Sequence, residues 1–235
     1  MTEPQAETVR LEQLWEGSFG DEYTERNLGA YAARKSFWDE LLAQHTCARV
    51  LEIGCNCGGN LQWIARHVRP RNVFGVEVNA SALRRLHEDL PEVNGVHGTA
   101  KELPFRSSWF DLVFTMGVLI HQPDSSLPAV MAEMVRCSRR WVLCGEYFAE
   151  TVAEVPYRGQ EGALFKRDYG AILQQHFPGL RLIERTFRGP DQGWDDMTFW
   201  LFEKPVESRS TEDVAPNPMG QARGRTLRDK DHPRD

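Results

Sequence analysis

Apolar residues in the middle of the chain form short continuous runs that alternate with helically spaced positions. Three such runs cover residues 49–53, 72–78 and 141–146. Runs of this length, bounded by turn residues, are typical of buried strands. After the first run, apolar side chains recur with helical spacing over about 59–68, and a second helix is predicted between Asn79 and Pro91. Strands that alternate with helices indicate an α/β fold with a mostly parallel sheet.

The N-terminal segment has a different pattern. Residues 8–18 are weakly helical, and a second helix is predicted over about 30–45. Between them, residues 17–27 are aromatic and acidic and are predicted to form a loop. We therefore expect residues 1–45 to form a helical cap on a sheet domain of residues 46–204.

The C-terminal segment closes the predicted sheet. A helix is predicted to begin at Leu164, with His176 among its inward positions. Apolar runs at 181–188 and 197–203 flank a turn-rich loop, which predicts a hairpin and an antiparallel last strand. Residues 205–235 contain few apolar side chains, so a disordered tail is expected there.

Composition and charge narrow the classes of function. The chain has 235 residues and a net charge of -6, which argues against broad electrostatic binding to nucleic acid. No apolar run approaches the roughly 20 residues of a membrane span, and no secretory signal is visible. The five cysteines lack metal-ligand spacing. We therefore expect a cytoplasmic protein without a metal, acting on a small molecule and compatible with a homodimer.

A glycine-rich turn follows the first apolar run and precedes a helix. Gly54 and Gly58 tolerate positive φ and let a ligand approach the backbone. In the dinucleotide pattern G-x-G-x-x-G, Asn56 would replace the middle glycine. Glu77 lies at the distance expected of an acid that holds ribose hydroxyls. Glu52, inside the strand, instead suits a ligand with a cationic amino-acid end, and a turn without any ligand is the third interpretation.

These residues resemble the motifs of the class I methyltransferases that depend on S-adenosyl-L-methionine (SAM). Their first motif, E-x-G-x-G-x-G, is matched at Glu52, Gly54 and Gly58. Residues 98–105 are similar to the G-D-A-x-x-L-P-F segment that lines adenine in that family, with Thr99 in place of aspartate. Residues 110–113 match F-D-x-V.

The resemblance implies a Rossmann-like α/β fold. Its sheet would have seven mostly parallel strands with an antiparallel last strand, and an N-terminal helical cap would cover it. The cofactor would be SAM, bound by Glu52, Gly54, Asn56, Gly58, Glu77, Thr99, Ala100, Thr115 and Met116.

Several uncommon segments are similar to one subgroup, labelled pseudaminic acid biosynthesis-associated methylases. These segments are residues 15–27, 120–121, 145–148, 156–159, 164–168 and 195–196. Similar sequences occur in natural-product pathways as small amino-acid, arginine-type N-methyltransferases. The resemblance covers about residues 10–204. It implies methylation of a small polar metabolite, best guessed as an amine or guanidine such as L-arginine.

Charged side chains expected to converge over the methyl donor supply the candidate chemistry. A nitrogen nucleophile must lose a proton, so a nearby carboxylate or imidazole helps. The candidate catalytic residues are Glu146, His121, Asp21 and Glu22. The candidate substrate-binding residues are Glu25, Tyr147, Arg158, Lys166 and Asp196. Because Arg158 and Lys166 would hold a carboxylate or phosphate, a pocket with both signs favours a zwitterionic substrate.

Three alternatives remain open at this stage. A sugar or nucleotide-sugar acceptor would use Arg158, Lys166 and Arg167 to bind phosphate. A non-catalytic binding protein is favoured by the departures from the family motifs at Asn56 and Thr99. A nicotinamide-dependent oxidoreductase is disfavoured by Glu52 and by the missing middle glycine.

Overall fold

The computed structural model describes residues 2–29 and 31–205. The strands are β1 (Val50–Ile53), β2 (Val73–Glu77), β3 (Asn94–His97), β4 (Phe110–Met116), β5 (Ser138–Tyr147), β6 (Ala153–Glu154), β7 (Phe165–Lys166), β8 (Arg181–Arg188) and β9 (Met197–Glu203). The helices are α1 (Glu3–Glu16), α2 (Ser18–Asn27), α3 (Arg34–Gln44), α4 (Leu61–Ile64), α5 (Ala80–Asp89), α6 (Leu127–Cys137) and α7 (Tyr169–His176). The predicted tail lies outside the described residues from position 206 onward.

Seven of these strands form one sheet in the order β3-β2-β1-β4-β5-β9-β8. β1 pairs in parallel with β2 and β4, which in turn pair in parallel with β3 and β5. β9 is antiparallel to both β5 and β8. The prediction of a mostly parallel sheet with an antiparallel last strand is therefore confirmed. β6 and β7 form a separate hairpin.

Alternating strand residues face two apolar clusters on opposite faces of the sheet. Val50 and Leu112 join one cluster, which includes Trp38 of α3. Leu51 and Val113 join the other, which includes residues of α6 and α7. Because both faces of the parallel strands are covered, their sequences are continuously apolar rather than alternating.

The segment predicted as a loop over residues 17–27 is instead the helix α2, joined to α1 at a sharp corner. A Cβ on Gly20 would come within 2.0 Å of the Trp15 carbonyl oxygen, so glycine is needed for this close approach. Asn79, distant in sequence, donates its side-chain amide to the carbonyl oxygens of Trp15 and Glu16 at the corner. The helix thus depends on a tertiary contact that local sequence patterns do not reveal.

Two other elements differ from their predicted extents. The helix predicted over 59–68 is regular only in α4, because later residues tighten into i→i+3 turns such as Arg66 N–H to Trp63 C=O. The helix expected to begin at Leu164 begins at Tyr169, where Asp168 caps it by accepting from the Ala171 N–H at 2.9 Å. Residues just before this cap are extended and form β7, and His176 is exposed.

The parallel strands bring the loops after β1, β2, β3 and β4 to one edge of the sheet. Ligands of open α/β sheets bind at this carboxyl edge. α1 lies across it and is attached on both sides of the opening by side-chain contacts described below. Within the described residues, no helix combines the length and apolarity needed to cross a membrane.

Candidate functional site

A cavity lies between α1 and the carboxyl edge of the sheet. Its wall is formed by Thr8, Leu11, Glu12, Trp15, Tyr23, Gly54, Val76, Glu77, Val78, Gly98, Thr99, Ala100, Lys101, Met116, Gly117, Val118, His121, Gln122 and Pro123. The cap, the glycine turn and the loops after β2, β3 and β4 therefore enclose one space. The predicted residues Gly54, Glu77, Thr99, Ala100 and Met116 all lie on this wall.

The turn after β1 has the backbone conformation that its glycines were expected to permit. Gly54 has a φ of 70° and Gly58 a φ of 85°, both in the left-handed region. A Cβ on Gly54 would lie 2.5 Å from a methyl carbon of Val118 across the cavity. Asn56 is also left-handed, with a φ of 49°. Asparagine tolerates this conformation better than most residues, which accounts for its presence where a glycine was expected.

Glu77 is buried at the end of β2 and its carboxylate is fixed by three backbone N–H groups. One oxygen accepts from Asn56 at 2.8 Å, and the other accepts from Val78 at 3.0 Å and Asn79 at 2.9 Å. Burial raises the pKa of Glu77, and these hydrogen bonds oppose that rise. The group is therefore rigidly oriented at the cavity wall, as a carboxylate that receives ribose hydroxyls would need to be.

Glu52 does not lie on the cavity wall. It is buried on the same face of β1 as Val50, where one oxygen accepts from the Asn60 side-chain amide. Asn60 also accepts from Arg34 at 3.2 Å. The second Glu52 oxygen has no hydrogen-bond partner among the described residues. Burial raises the pKa of Glu52 to about 8.

Thr115 and Met116 are the last two residues of β4, and their side chains lie on opposite faces of the sheet. Met116 lines the cavity, whereas Thr115 is fully buried behind it. A Cβ on Gly145 of β5 would lie 3.2 Å from the Met116 sulfur, so small residues at this strand end leave room for the thioether.

His121 lies on the cavity wall at the end of a 3-10 turn and is buried. Its Nδ1 lies 2.6 Å from the carbonyl oxygen of Ala163. Because a carbonyl can only accept, Nδ1 carries a proton. Burial lowers the pKa of His121 to about 4, so the ring is neutral near pH 7 and Nε2 is an unprotonated acceptor. The ring packs against Trp15 at a centroid distance of 4.4 Å.

Glu146 is fully buried at the end of β5, behind this turn. Its oxygens accept from the backbone N–H groups of Val118 at 3.3 Å and Ile120 at 3.2 Å. Burial raises the pKa of Glu146 to about 7, and the backbone hydrogen bonds limit that rise. Both oxygens of the carboxyl group are therefore engaged in holding the turn that carries His121. Glu146 is absent from the cavity wall.

The three predicted acids of the cap have different surroundings. Asp21 accepts from the Asn79 side-chain amide at 3.0 Å, next to the loop after β2. Glu22 and Glu25 are exposed and form ion pairs with Arg26 and Arg85, respectively. Asp21 is thus the acid of this group that α2 holds nearest to the cavity.

Of the predicted substrate residues, Tyr147 belongs to a cluster of tyrosines near the cavity, and Lys166 and Arg158 lie beside that cluster. Burial raises the pKa values of Tyr23 and Tyr147, and the Asp195 carboxylate is close enough to raise both further. Asp196, the acid predicted for this position, is exposed and has a left-handed φ of 48°. The ammonium group of Lys166 lies 5.6 Å from the centre of the Tyr147 ring. Arg158 is exposed beside Tyr157, with its guanidinium 6.0 Å from that ring.

Sequence analysis did not identify several residues that build this site. Trp15 contacts the rings of Phe19, Tyr23, His121 and Tyr157. Its indole N–H is buried and has no hydrogen-bond partner in the described part of the chain. Arg167, by contrast, was predicted as a basic residue for phosphate, but it is buried and donates to the carbonyl oxygen of Gln122 and to Asp124, which fixes the segment after His121. The helical spacing of Leu11 and Trp15 was the available indication that one face of α1 covers the sheet edge.

Comparisons with known proteins agree with this geometry. Residues 50–140 match the family model described as a methyltransferase domain. The chain is 30% identical over 93 residues to a phthiotriol/phenolphthiotriol dimycocerosates methyltransferase of Mycobacterium leprae, covering 39% of this chain and 34% of that protein. It is 37% identical over 71 residues to a fatty-acid O-methyltransferase of Mycolicibacterium smegmatis, covering 29% and 26%. The chain thus spans about a third or less of the length of these curated relatives.

A solved structure extends the likeness to most of the chain. The Burkholderia thailandensis 1,6-didemethyltoxoflavin-N1-methyltransferase, bound to 1,6-didemethyltoxoflavin and S-adenosylhomocysteine, superposes with a TM-score of 0.67 at 15% identity. The alignment covers 87% of this chain and 91% of that protein. Together with the matched domain, it shows that the chain has a Rossmann-like methyltransferase fold.

Proposed function

We propose that the protein is a SAM-dependent methyltransferase that acts on a small polar metabolite, with an amine or guanidine of the arginine type as the favoured acceptor. One observation carries the proposal. A single cavity wall combines a glycine turn and a fixed Glu77 carboxylate, which suit a nucleoside, with a neutral His121 whose Nε2 can accept a hydrogen bond. The matched methyltransferase domain over residues 50–140 supports it.

The residues present fit SAM as the cofactor. Glu77 would receive the ribose hydroxyls, and Gly54, which carries no side chain, lies on the same cavity wall. Met116 and Ala100 supply apolar surface for the adenosine. Glu52, which lies off the cavity wall, would act indirectly by holding Asn60 just after the glycine turn. When bound, SAM supplies a methyl carbon already activated by its sulfonium, so no covalent intermediate with the protein is needed.

Aromatic rings and carboxylates favour an acceptor with a cationic or N–H-rich group. Trp15, Tyr23 and Tyr157 lie near His121, and aromatic faces attract cations. The Asp195 and Asp21 carboxylates would supply negative charge at the open side. Lys166 and Arg158 would hold the carboxylate of the same molecule.

His121 and Glu146 would have separate roles in this reaction. Nε2 of His121 would accept a hydrogen bond from the nucleophile, which directs the lone pair of that nitrogen toward the methyl group. The low pKa of His121 suits an acceptor that orients an N–H group more than a base that keeps the proton. Glu146 would position His121 through the backbone N–H groups of the turn. The proton would pass to solvent along the exposed acids.

The direct test is a methyl-transfer screen read by mass spectrometry. Purified protein and SAM would be incubated with L-arginine, other amines and guanidines, nucleotide sugars and a fatty acid. We expect a product 14 mass units heavier, as methylation requires, from a guanidine or amine. Gly54→Val is the matched negative control, because its Cβ would lie 2.5 Å from Val118 on the cavity wall and valine disfavours the φ of 70° found there.

The other outcomes separate the alternatives. A methylated nucleotide sugar would support the alternative in which Arg158 and Lys166 bind the phosphates of the acceptor. A methylated fatty acid would contradict the polar substrate. Binding of SAM without transfer to any acceptor would favour a non-catalytic binding protein.

A further inference from the structure

Glu12 is a half-buried carboxylate of α1 on the wall of the cavity. One of its oxygens lies 2.7 Å from the ammonium group of Lys101, in the loop after β3. Burial acts to raise the pKa of Glu12, but hydrogen bonds from Lys101 and Thr99 outweigh it, so the pKa is lowered. The group is therefore ionised near pH 7 and is available as a hydrogen-bond acceptor.

The sheet order fixes which end of the cofactor would meet this group. Glu77 ends β2 and would hold the ribose, while His121 and Glu146 follow β4 and β5 on one side of it. The reacting end of the cofactor must face that side. The base must then extend in the opposite direction, toward β3 and the loop Gly98–Lys101. Glu12 covers this end from above.

The exocyclic amine of adenine is a hydrogen-bond donor and needs an acceptor in this part of the cavity. The two carboxylates on the cavity wall are Glu77, which would already hold the ribose, and Glu12. A carboxylate offers about four lone-pair positions, so the contact with Lys101 leaves acceptor capacity on Glu12. The Thr99 hydroxyl, itself hydrogen-bonded to Glu12, is a weaker neutral acceptor.

We propose that Glu12 of α1 accepts a hydrogen bond from the exocyclic amine of the cofactor adenine. The cap helix is then part of the cofactor site. Lys101 holds the carboxylate in place. The assignment rests on the proposed function, because it takes SAM as the ligand.

The test compares two ligands that differ at this position of the base. S-adenosylhomocysteine (SAH) carries the amine, whereas its deaminated analogue S-inosylhomocysteine carries a carbonyl oxygen there. Affinities of both would be measured by calorimetry for the wild-type chain and for Glu12→Gln. We expect the wild type to prefer SAH and the variant to lose roughly 10-fold or more of that preference, as expected for a hydrogen bond to a charged group.

Two control variants distinguish recognition of the adenine amine by Glu12 from a general effect of attaching the cap to the sheet. Lys101→Met removes the ion pair but keeps the carboxylate, so it should weaken both ligands and keep most of the preference. Glu16→Gln alters an exposed acid of the same helix and should change neither affinity.

The outcomes distinguish this assignment from the proposed function. If Glu12→Gln weakened both ligands equally and kept the wild-type preference, Glu12 would be a contact of the cap alone and the assignment would be wrong. If the wild-type chain bound neither ligand, the SAM-dependent function itself would fail, and the assignment with it.

Discussion

The two sides of the cavity are built by different kinds of interaction. On the sheet side, the sheet register and backbone hydrogen bonds hold the groups in place, as in the three N–H donors to Glu77. On the cap side, α1 is attached by side chains: Glu12 to Lys101, Thr8 to Ser125 and Arg10 to the carbonyl oxygen of Glu161.

The two sides of the cavity are therefore expected to differ in local stability. Backbone contacts of the sheet persist as long as the sheet is folded, whereas partly exposed side-chain pairs are worth about 0–1 kcal/mol each. We therefore expect the cap to open more readily than the sheet unfolds. We expect substitutions on the sheet side to abolish binding and those on the cap side to tune it.

The largest expected effect is that of Glu77→Ala. The variant would lose hydrogen bonds between a charged group and the ribose, each worth roughly 1.5–3 kcal/mol, so SAM affinity should fall roughly 100-fold or more. Calorimetry with SAH would measure the loss. Glu88→Ala, at an exposed acid of α5, is the matched control. Unchanged affinity for Glu77→Ala would place the ribose elsewhere.

The next effect concerns the pH dependence of stability at Glu146. Its pKa is raised by burial to about 7 in the folded chain, from the ordinary value of 4.5. Between these pH values the native state holds a proton that the unfolded state has lost, so rising pH lowers the free energy of unfolding. The contribution is about 3 kcal/mol, fully developed above pH 7.

Glu146→Gln removes this titration. Chemical denaturation of both proteins at pH 5 and pH 8 should show a smaller decline in the free energy of unfolding for the variant. Because the Gln amide can accept from only one of the two N–H groups and turns its NH2 toward the other, the variant should also slow methyl transfer while sparing SAH affinity. An identical pH dependence in both proteins would contradict the raised pKa.

The sheet side was largely predictable from sequence because local residues determine it. Apolar runs predicted β1, β2 and β5, and the glycines after β1 predicted a turn that does contain left-handed residues. The corner between α1 and α2 was missed because Asn79, about 60 positions away, completes its hydrogen bonds.

The same reasoning explains which site residues could not be predicted from the sequence. Glu12 and Lys101 are 89 positions apart in the sequence. The local pattern shows only an acid on a weakly predicted helix, so it does not place Glu12 at a cavity. Glu146 was predicted as a candidate base from its place at a strand end. Its contacts with the backbone of 118 and 120 could be known only once the turn was placed. Residues 50–121 were therefore easier to interpret than the cap.

A smaller effect is expected at His121, where the two sides of the cavity meet. His121→Ala removes the acceptor Nε2 and the contact with Trp15, so transfer should slow about 10- to 100-fold through loss of orientation. SAH affinity should change far less, and His176→Ala, at an exposed histidine, should change neither. Because burial lowers the pKa of His121 to about 4, the wild-type rate constant should show no inflection from this histidine between pH 5.5 and 8. A clear inflection near pH 6.5 that disappears in the variant would contradict its buried, neutral state.

The smallest effect is expected at the outer acids of α2. Glu25 is exposed and pairs with Arg85, so Glu25→Gln should change the Michaelis constant for the acceptor less than about 2-fold, as exposed pairs contribute little. Asp21→Asn, which alters the contact with Asn79 beside the cavity, should raise it several-fold. Steady-state kinetics with the acceptor found in the screen would measure both. A larger effect at Glu25 than at Asp21 would mean that the cap rotates to bring its outer face to the substrate, and the attachment of α1 to the sheet edge would then be a resting arrangement.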